Sequence, residues 1–135
     1  MKFLTRKISA SAAQTPCSSK GQGDAAEDQA LRHLQQQGLK LLQRNYRTPG
    51  RGGGEIDLIM SESDGTLVFV EVRQRASVSH GGAAASVGLV KQRRIVFAAR
   101  HYLMRRPGAP PPCRFDVVGV EQGQIQWLRA AFDAQ

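Results

Sequence analysis

Two acidic residues, Asp57 and Glu71, are the first candidates for chemistry because they lie in neighbouring segments of alternating polarity. The segments flank Ser63-Asp64-Gly65, a three-residue connection with glycine at the left-handed position of a common hairpin loop. In that register Glu62 pairs with Thr66, and Asp57 lies opposite Glu71. Carboxylates opposed across a hairpin repel each other, and a divalent cation resolves that repulsion. Oxygen ligands of this kind suit magnesium or manganese.

Two alternatives to this metal site remain open. Arg73 and nearby lysines can neutralise the two carboxylates as a structural salt-bridge cluster. A two-residue Asp64-Gly65 turn would shift the register by one residue and separate the acids.

Alternation along both strands predicts which side chains share a face of this hairpin. One face carries Glu55, Asp57, Glu71 and Arg73 together with Ile59, Leu67 and Phe69. The opposite face carries only aliphatic side chains, namely Ile56, Leu58, Val68, Val70 and Val72. We interpret the aliphatic face as the one that forms the core.

A third carboxylate, Glu27, lies in a segment with helical periodicity from about Asp24 to Gln37. Ala30, Leu31 and Leu34 follow it at spacings that form one apolar stripe, with Glu27 in the middle. A lone carboxylate on the core side of a helix needs a compensating partner. Alternatively, Glu27 lies at the edge of the stripe near the N-terminal turn, where the helix dipole favours it.

Basic residues form a stripe along a longer predicted helix, from about Ala85 to Arg105. At 100° per residue, Lys91, Arg94, His101 and Arg105 lie within a sector of roughly 80°. Such a stripe beside a carboxylate site is suited to a phosphate backbone. A solvated helix face is the ordinary alternative.

A second basic patch surrounds the run Thr48-Pro49-Gly50-Arg51-Gly52-Gly53-Gly54, which predicts an exposed and mobile loop. The patch consists of Arg44, Arg47 and Arg51, and Tyr46 beside them is a candidate for stacking on a nucleic-acid base.

Composition limits the class of protein. A chain of 135 residues fits one domain, and 19 Lys and Arg against 11 Asp and Glu give a net charge of +8. This charge favours a polyanionic partner, nucleic acid before membrane, over the alternative of a merely basic protein. No apolar run approaches the roughly 20 residues that cross a bilayer. Cys17 and Cys113 lack metal-ligand spacing, so we interpret both as reduced thiols of a cytoplasmic protein.

The remaining elements are predicted from breakers and periodicity. Residues 1–20 form a flexible leader, and residues 21–135 form a single domain. The hairpin strands span about Glu55 to Glu62 and Thr66 to Arg75, and Gly81-Gly82 marks a loop. Other predicted strands are Leu39 to Arg47, Arg114 to Glu121 and Gln124 to Leu128. The order α-β-β-β-α-β-β indicates an α/β fold, a mixed sheet flanked by helices.

Several spaced motifs then agree in order with one family. They are Gly-Glu-Ile-Asp-Leu-Ile at 54–59, Phe-Val-Glu-Val-Arg at 69–73 and Arg-Phe-Asp-Val-Val at 114–118, supported by segments 26–30, 44–47 and 91–95 and by Gly38. Over about residues 21–121 the chain resembles the YraN family of small bacterial proteins. That family is similar to Holliday-junction resolvases of the restriction-endonuclease-like fold, whose active site follows a D…(D/E)-x-K scheme.

The resemblance implies a role for each matching position. Asp57 corresponds to the first metal-binding acid and Glu71 to the second, with the backbone carbonyl of Val72 as a further ligand. Glu27 corresponds to the acid on a helix that completes such sites. Arg73 occupies the position of the catalytic lysine. Because arginine stays protonated, it cannot act as a base, but it can orient water or stabilise a pentacovalent phosphate.

The implied function is magnesium- or manganese-dependent hydrolysis of phosphodiester bonds in DNA, including branched DNA, by a homodimer. Lys91, Arg94, Arg47, Arg51 and Arg105 are the residues we expect to contact the nucleic acid. The rival interpretation, favoured by Arg73, is a non-catalytic nucleic-acid-binding or adaptor protein that retains the nuclease fold.

Overall fold

The computed structural model describes residues 19–74 and 87–134, with side chains described from residue 24 onward. The predicted order of elements is confirmed. In chain order the elements are α1 (Ser19–Gln36), β1 (Lys40–Arg47), β2 (Glu55–Ser61), β3 (Leu67–Gln74), α2 (Leu89–Arg105), β4 (Cys113–Glu121) and β5 (Gln124–Phe132). Neither described helix combines the length and the apolarity that crossing a membrane requires.

The boundaries differ from the prediction mainly at α1 and β5. Helix α1 begins at Ser19 instead of Asp24, so Ser19 and Lys20, assigned to the leader, are helical. The apolar stripe starts only at Ala26, and the first two turns therefore carried no periodic signal. Strand β5 continues to Phe132, four residues beyond the predicted end. Residues 1–18 of the leader, the loop at Gly81-Gly82 and the first residues of the second predicted helix, 85–86, lie outside the described residues.

The five strands form one mixed sheet in the order β1-β2-β3-β4-β5. Strands β3 and β4 pair in parallel, and the other neighbouring strands are antiparallel. A parallel pair needs a long crossover connection, and the connection between β3 and β4 contains α2. The strands with the acidic pair, β2 and β3, therefore lie inside the sheet and not at its edges.

The hairpin between β2 and β3 has the predicted three-residue loop. Pairs run from Ser61 opposite Leu67 to Leu58 opposite Val70. The backbone N–H of Glu62 donates to the carbonyl of Thr66 at 2.9 Å. Gly65 takes the left-handed conformation with φ 93°. The alternative two-residue turn is therefore wrong. The predicted register is confirmed as far as the pair Leu58–Val70, which is next to Asp57 and Glu71.

Both faces of the sheet are core, which corrects the prediction of a single core face. Helix α1 covers one face, where Leu34 joins Leu58 and Val70 in a buried cluster. Helix α2 covers the other face, where Ile95 joins Phe69 in a second buried cluster. The acidic pair consequently lies between two layers of apolar packing.

The predicted alternation also fails near Asp57. Ile56 belongs to the cluster beneath α2, whereas Leu58 belongs to the cluster beneath α1, although both were predicted on one face. The paired strand β1 shows the same change, because Tyr46 packs with the α2 cluster while Arg44 contacts α1.

The cause of this change of face is Asn45. Its φ is 52°, a left-handed conformation that rotates the strand and interrupts strict alternation. Asn45 lies between the pairs Arg44–Leu58 and Tyr46–Ile56, so its place in the register is opposite Asp57. The sheet is therefore irregular at the residue that carries the first candidate acid.

Candidate metal centre and nucleic-acid interface

The carboxylates of Asp57 and Glu71 lie together where the pairing of β2 and β3 ends. The N–H of Val72 donates to Asp57 Oδ2 at 2.8 Å, and the Glu71 side chain is 4% exposed. Burial raises the pKa of Asp57 to about 7, helped by the negative charge of Glu71 and by a hydrogen bond between the two carboxyl groups. The bond from Val72 only partly opposes this rise. The pair therefore carries an unfavourable charge interaction near neutral pH.

Two cations approach Glu71 from different elements. The Nη1 of Arg73 lies 3.4 Å from Glu71 Oε2, and the Nζ of Lys91, in the first turn of α2, lies 3.7 Å from the same oxygen. The sequence placed Lys91 on the phosphate-binding stripe, and the salt-bridge alternative expected nearby lysines at the acids without naming Lys91. The salt-bridge partners of the alternative interpretation are therefore present, yet the pKa of Asp57 stays raised beside them.

Glu27 lies beside this pair, on the sheet-facing side of α1. Its side chain is 13% exposed, and its Oε1 accepts a bond from Arg44 Nη2 at 3.2 Å. Burial and then the charge of Asp57 raise the pKa of Glu27, whereas Arg44 lowers it. The helix begins eight residues earlier, so the interpretation of Glu27 as a dipole-favoured residue of the N-terminal turn is wrong.

The three candidate acids are only partly assembled. Within the residues that the structure describes, no three His, Cys, Asp or Glu side chains converge into a metal-binding group. Asp57 and Glu71 are together, whereas Glu27 is bonded to Arg44, which itself also contacts Asp28 at 2.9 Å. The carboxylates of the half-buried Asp57 and the buried Glu71 match the donors of a hard divalent cation. The residues present therefore fit magnesium or manganese, with the Val72 carbonyl and Glu27 as the further donors that the resemblance implies.

A groove lined by basic residues adjoins the acids. It has a volume of about 350 Å³. Its lining includes Arg47, Lys91 and Arg94, with Glu55 and the base of the glycine-rich loop. Arg47 Nε lies 3.3 Å from Glu55 Oε2, so this cation is partly compensated. Arg51 lies in the exposed part of the same loop.

Residues 49–52 of the glycine-rich loop are exposed as predicted, whereas its base at Thr48 and Gly54 is buried. Gly54 N–H donates to Thr48 Oγ1 at 2.7 Å, and Thr48 N–H donates to the Gly54 carbonyl at 3.0 Å. A Cβ at Gly54 would lie 1.9 Å from the carbonyl oxygen of Arg94. Only glycine therefore allows the loop to pack against the backbone of α2 and bring Arg47 to Arg94.

The second predicted basic patch does not form one surface. Arg44 points to α1, whereas Arg47 lines the groove beside α2. Tyr46 is 5% exposed, and its hydroxyl lies 2.5 Å from His101 Nδ1. The role of Tyr46 as a base-stacking residue is therefore wrong, because the ring is part of the core beneath α2.

Comparison with known proteins identifies the family of this chain. The sequence profile of the Uncharacterised protein family UPF0102 matches residues 26–120. The chain belongs to the UPF0102 family. A UPF0102 protein of Albidiferax ferrireducens is 77% identical over 116 residues, covering 86% of this chain and 90% of the relative. A UPF0102 protein of an Acidovorax species is 62% identical over 135 residues, covering 99% of each chain. The predicted YraN-family membership is confirmed.

Sequence reasoning missed a second buried carboxylate of this UPF0102 protein, Asp116 in β4. Its side chain is fully buried, and both of its oxygens lie within 3.2 Å of Arg114 Nε. Trp127 Nε1 and the backbone N–H of Ala130 also donate to it, each at 2.9 Å. The only signal was the Arg-x-Asp spacing within the 114–118 motif, and that spacing does not reveal the donors from β5.

Proposed function

We propose that this UPF0102 protein is a metal-dependent nuclease that hydrolyses phosphodiester bonds in DNA. One observation supports this most directly: two repelling carboxylates, of the half-buried Asp57 and the buried Glu71, lie beside a basic groove. A carboxyl group with a strongly raised pKa, such as that of Asp57, is typical of functional sites, and the adjoining cations suit a polyanionic substrate.

Asp57 and Glu71 would hold a magnesium or manganese ion, with Glu27 and the Val72 carbonyl as further ligands. Such an ion supplies a more acidic water and neutralises charge on a phosphate. Glu71 is buried and Asp57 is half-buried, so bulk water reaches the pair from one side only in part. Releasing Arg44 would free Glu27 to turn towards the pair.

The basic side chains would position the substrate. Arg73 is about a third exposed and lies at the rim of the acidic pair, where its planar guanidinium can contact two phosphate oxygens. Lys91 contacts Glu71 and also lines the groove, so it connects the acids to the phosphate-binding surface. Arg94 and Arg47 extend this surface away from the acids.

The finer parts of the proposal rest on the resemblance to Holliday-junction resolvases. They are a branched DNA substrate and a homodimeric assembly. The proposed cytoplasmic location rests instead on the two cysteines, which lack metal-ligand spacing and are interpreted as reduced thiols. The rival function is nucleic-acid binding without cleavage. The rival is favoured by Arg73, because the restriction-endonuclease-like scheme has lysine at that position.

A cleavage assay tests the proposal. Wild-type protein should cut at least one of linear, flap and four-way DNA with magnesium or manganese, whereas Asp57→Asn and Glu71→Gln should lower the rate by about 10³-fold or more. Asp64→Asn is the matched control, since Asp64 is an acid at the exposed hairpin tip and its replacement removes the same charge. Equal rates for Asp57→Asn and wild type would contradict the proposed site.

Arg73→Lys separates two accounts of this position. If only a positive charge is needed, Arg73→Lys changes the cleavage rate little and Arg73→Ala removes most of it. If proton exchange with the attacking water is needed, the wild type is nearly inert and Arg73→Lys raises the rate by about 10²–10⁴-fold. We expect the first result, because the repelling acids are intact. An absence of cleavage by both forms on every substrate would favour the binding-only rival.

A further inference from the structure

A second pocket lies at the C-terminal end of α2, beyond the groove at the acids. It has a volume of about 250 Å³, and its lining residues are Gln43, Tyr46, Tyr102, Arg105 and Arg106. The Tyr46 ring packs edge-on against the Tyr102 ring at 5.3 Å between centroids, and the Tyr46 hydroxyl is bonded to His101. The base of the pocket is therefore fixed by aromatic packing.

The cations of this pocket differ from those around the acids. Lys91, Arg73 and Arg47 each form an ion pair with a carboxylate. Over the described part of the chain, neither Arg105 nor Arg106 forms an ion pair with an acidic side chain. An anion entering this pocket therefore meets two positive charges without first having to displace a carboxylate.

The ordinary role of a cation in the last helical turn is to offset the partial negative charge of the helix terminus. Arg105 occupies that turn, whereas Arg106 follows the helix and its backbone N–H bonds the Leu103 carbonyl at 3.2 Å. One terminal cation would satisfy the dipole. Two adjacent guanidinium groups beside a tyrosine and an amide instead match the donors that bind a phosphate.

The spacing of the two basic sites indicates the kind of ligand. Eleven residues separate Arg94 from Arg105, which corresponds to about 16 Å along a helix. Both lie within the same basic sector of α2, with the half-buried His101 between them. Measured along the axis of a duplex, about 16 Å corresponds to roughly five base pairs, which is half a turn. Because each strand winds to the far side over half a turn, the two contacts would fall on phosphates of opposite strands that face the same side. A free phosphate ion cannot bridge this distance, whereas a duplex can.

We propose that the pocket of Tyr102, Arg105 and Arg106 binds a phosphodiester group of double-stranded DNA about five base pairs from the phosphate held in the groove. This inference rests on the proposed function, and it defines the substrate as a duplex segment long enough to contact both sites. Helix α2 then acts as a spacer between the two contacts.

Binding measurements without divalent metal test the pocket while no strand is cut. Fluorescence anisotropy should show that Arg105→Gln/Arg106→Gln binds a duplex of about 20 base pairs roughly tenfold more weakly than wild type. The slope of log affinity against log salt should shrink by about 2. A hairpin stem of about four base pairs, which reaches only the groove, should bind both proteins equally. The matched control is Arg32→Gln/Lys40→Gln, which removes the same charge from exposed positions and should bind within about twofold of wild type.

Four outcomes would overturn the inference. The first two are an unchanged affinity of the pocket variant for the long duplex and an equal loss of affinity on short and long DNA. The third is an equal loss of affinity in the control variant. The fourth is that inorganic phosphate lowers the affinity of the wild type for the long duplex to that of the pocket variant. Lys91→Gln/Arg94→Gln should weaken both lengths. A loss of affinity on long DNA only, in a protein that cuts no DNA, would support the pocket and contradict the proposed nuclease function. Cleavage by the wild type, together with unchanged DNA affinity of the pocket variant, would support the nuclease function and contradict the pocket.

Discussion

Two aspartates of the sheet have opposite surroundings, the half-buried Asp57 in β2 and the fully buried Asp116 in β4. Each lies where regular strand pairing is interrupted, and each accepts a bond from a backbone N–H, of Val72 and of Ala130 respectively. Asp116 also receives bonds from two side chains. Asp57 instead lies against a second acid, and its pKa is raised to about 7.

The surroundings of these two aspartates distinguish a structural carboxylate from a candidate ligand of a metal. A buried carboxylate whose acceptor positions are filled by donors and a cation is fully compensated, and it fixes the elements that provide the donors. A buried carboxylate that repels its neighbour opposes folding, so its environment is explained better by a ligand. In this chain Asp57 meets the second description, whereas Glu71 beside it is contacted by Arg73 and Lys91.

The largest effect on stability is expected at the compensated site. Asp116→Asn removes the charge that Arg114 contacts in the interior and turns an amide NH₂ towards other donors. The free energy of unfolding should fall by about 3–5 kcal/mol, measured by urea denaturation. A loss below about 1 kcal/mol would show that the network around Asp116 does not stabilise the fold, and the proposed difference between Asp116 and Asp57 would then be wrong.

Asp57→Asn should have the opposite sign. At pH 8 the variant should be more stable than the wild type by about 2–4 kcal/mol, because the neutral amide removes the repulsion from Glu71 and keeps an acceptor for Val72. Urea denaturation at several pH values measures this difference.

The pH dependence of that gain follows from the raised pKa. In the unfolded chain the Asp57 carboxyl ionises near 3.8, whereas in the folded protein it keeps its proton until about pH 7. The unfolded state therefore binds fewer protons between these values, and wild-type stability falls as the pH rises through this range. The advantage of Asp57→Asn should vanish near pH 4 and be complete above about pH 7. A gain that does not depend on pH would contradict the assignment.

Metal should reduce the difference between the two aspartates. Magnesium or manganese at about 100 times its dissociation constant should stabilise the wild type by about 2.7 kcal/mol, which is a rise of roughly 5–10 °C in Tm. Asp57→Asn should show no such rise, whereas the hairpin-tip control Asp64→Asn should respond like the wild type. Identical melting of the wild type with and without metal would favour the salt-bridge interpretation of the acids.

The smallest effect is expected for the cation beside Glu71. Lys91 is 42% exposed and lies 3.7 Å from the Glu71 oxygen, so solvent screens this pair. Lys91→Gln should lower the free energy of unfolding in the absence of metal by less than about 1 kcal/mol, measured in urea. A loss above about 2 kcal/mol would mean that Lys91 compensates the acids as fully as Arg114 compensates Asp116.

Local rules were sufficient for the order of elements and for the hairpin. The Ser63-Asp64-Gly65 loop set the register because turn geometry acts over a few residues, and that register brings Asp57 to Glu71, next to the pair Leu58–Val70. Charge and helical spacing placed Lys91 and Arg94 on one side of α2, where both line the groove. These features depend on neighbours in the chain, so the amino-acid sequence alone determined them.

Only the tertiary structure decided which partner each buried polar group has. Glu27 bonds Arg44 across 17 residues, and Arg114 and Trp127 meet at Asp116 from adjoining strands. The left-handed Asn45 moved Tyr46 into the core and reversed the faces of β2, which strict alternation cannot anticipate. Such contacts arise when helices and strands distant in sequence pack together. Their energies depend on burial, and burial is a property of the whole fold.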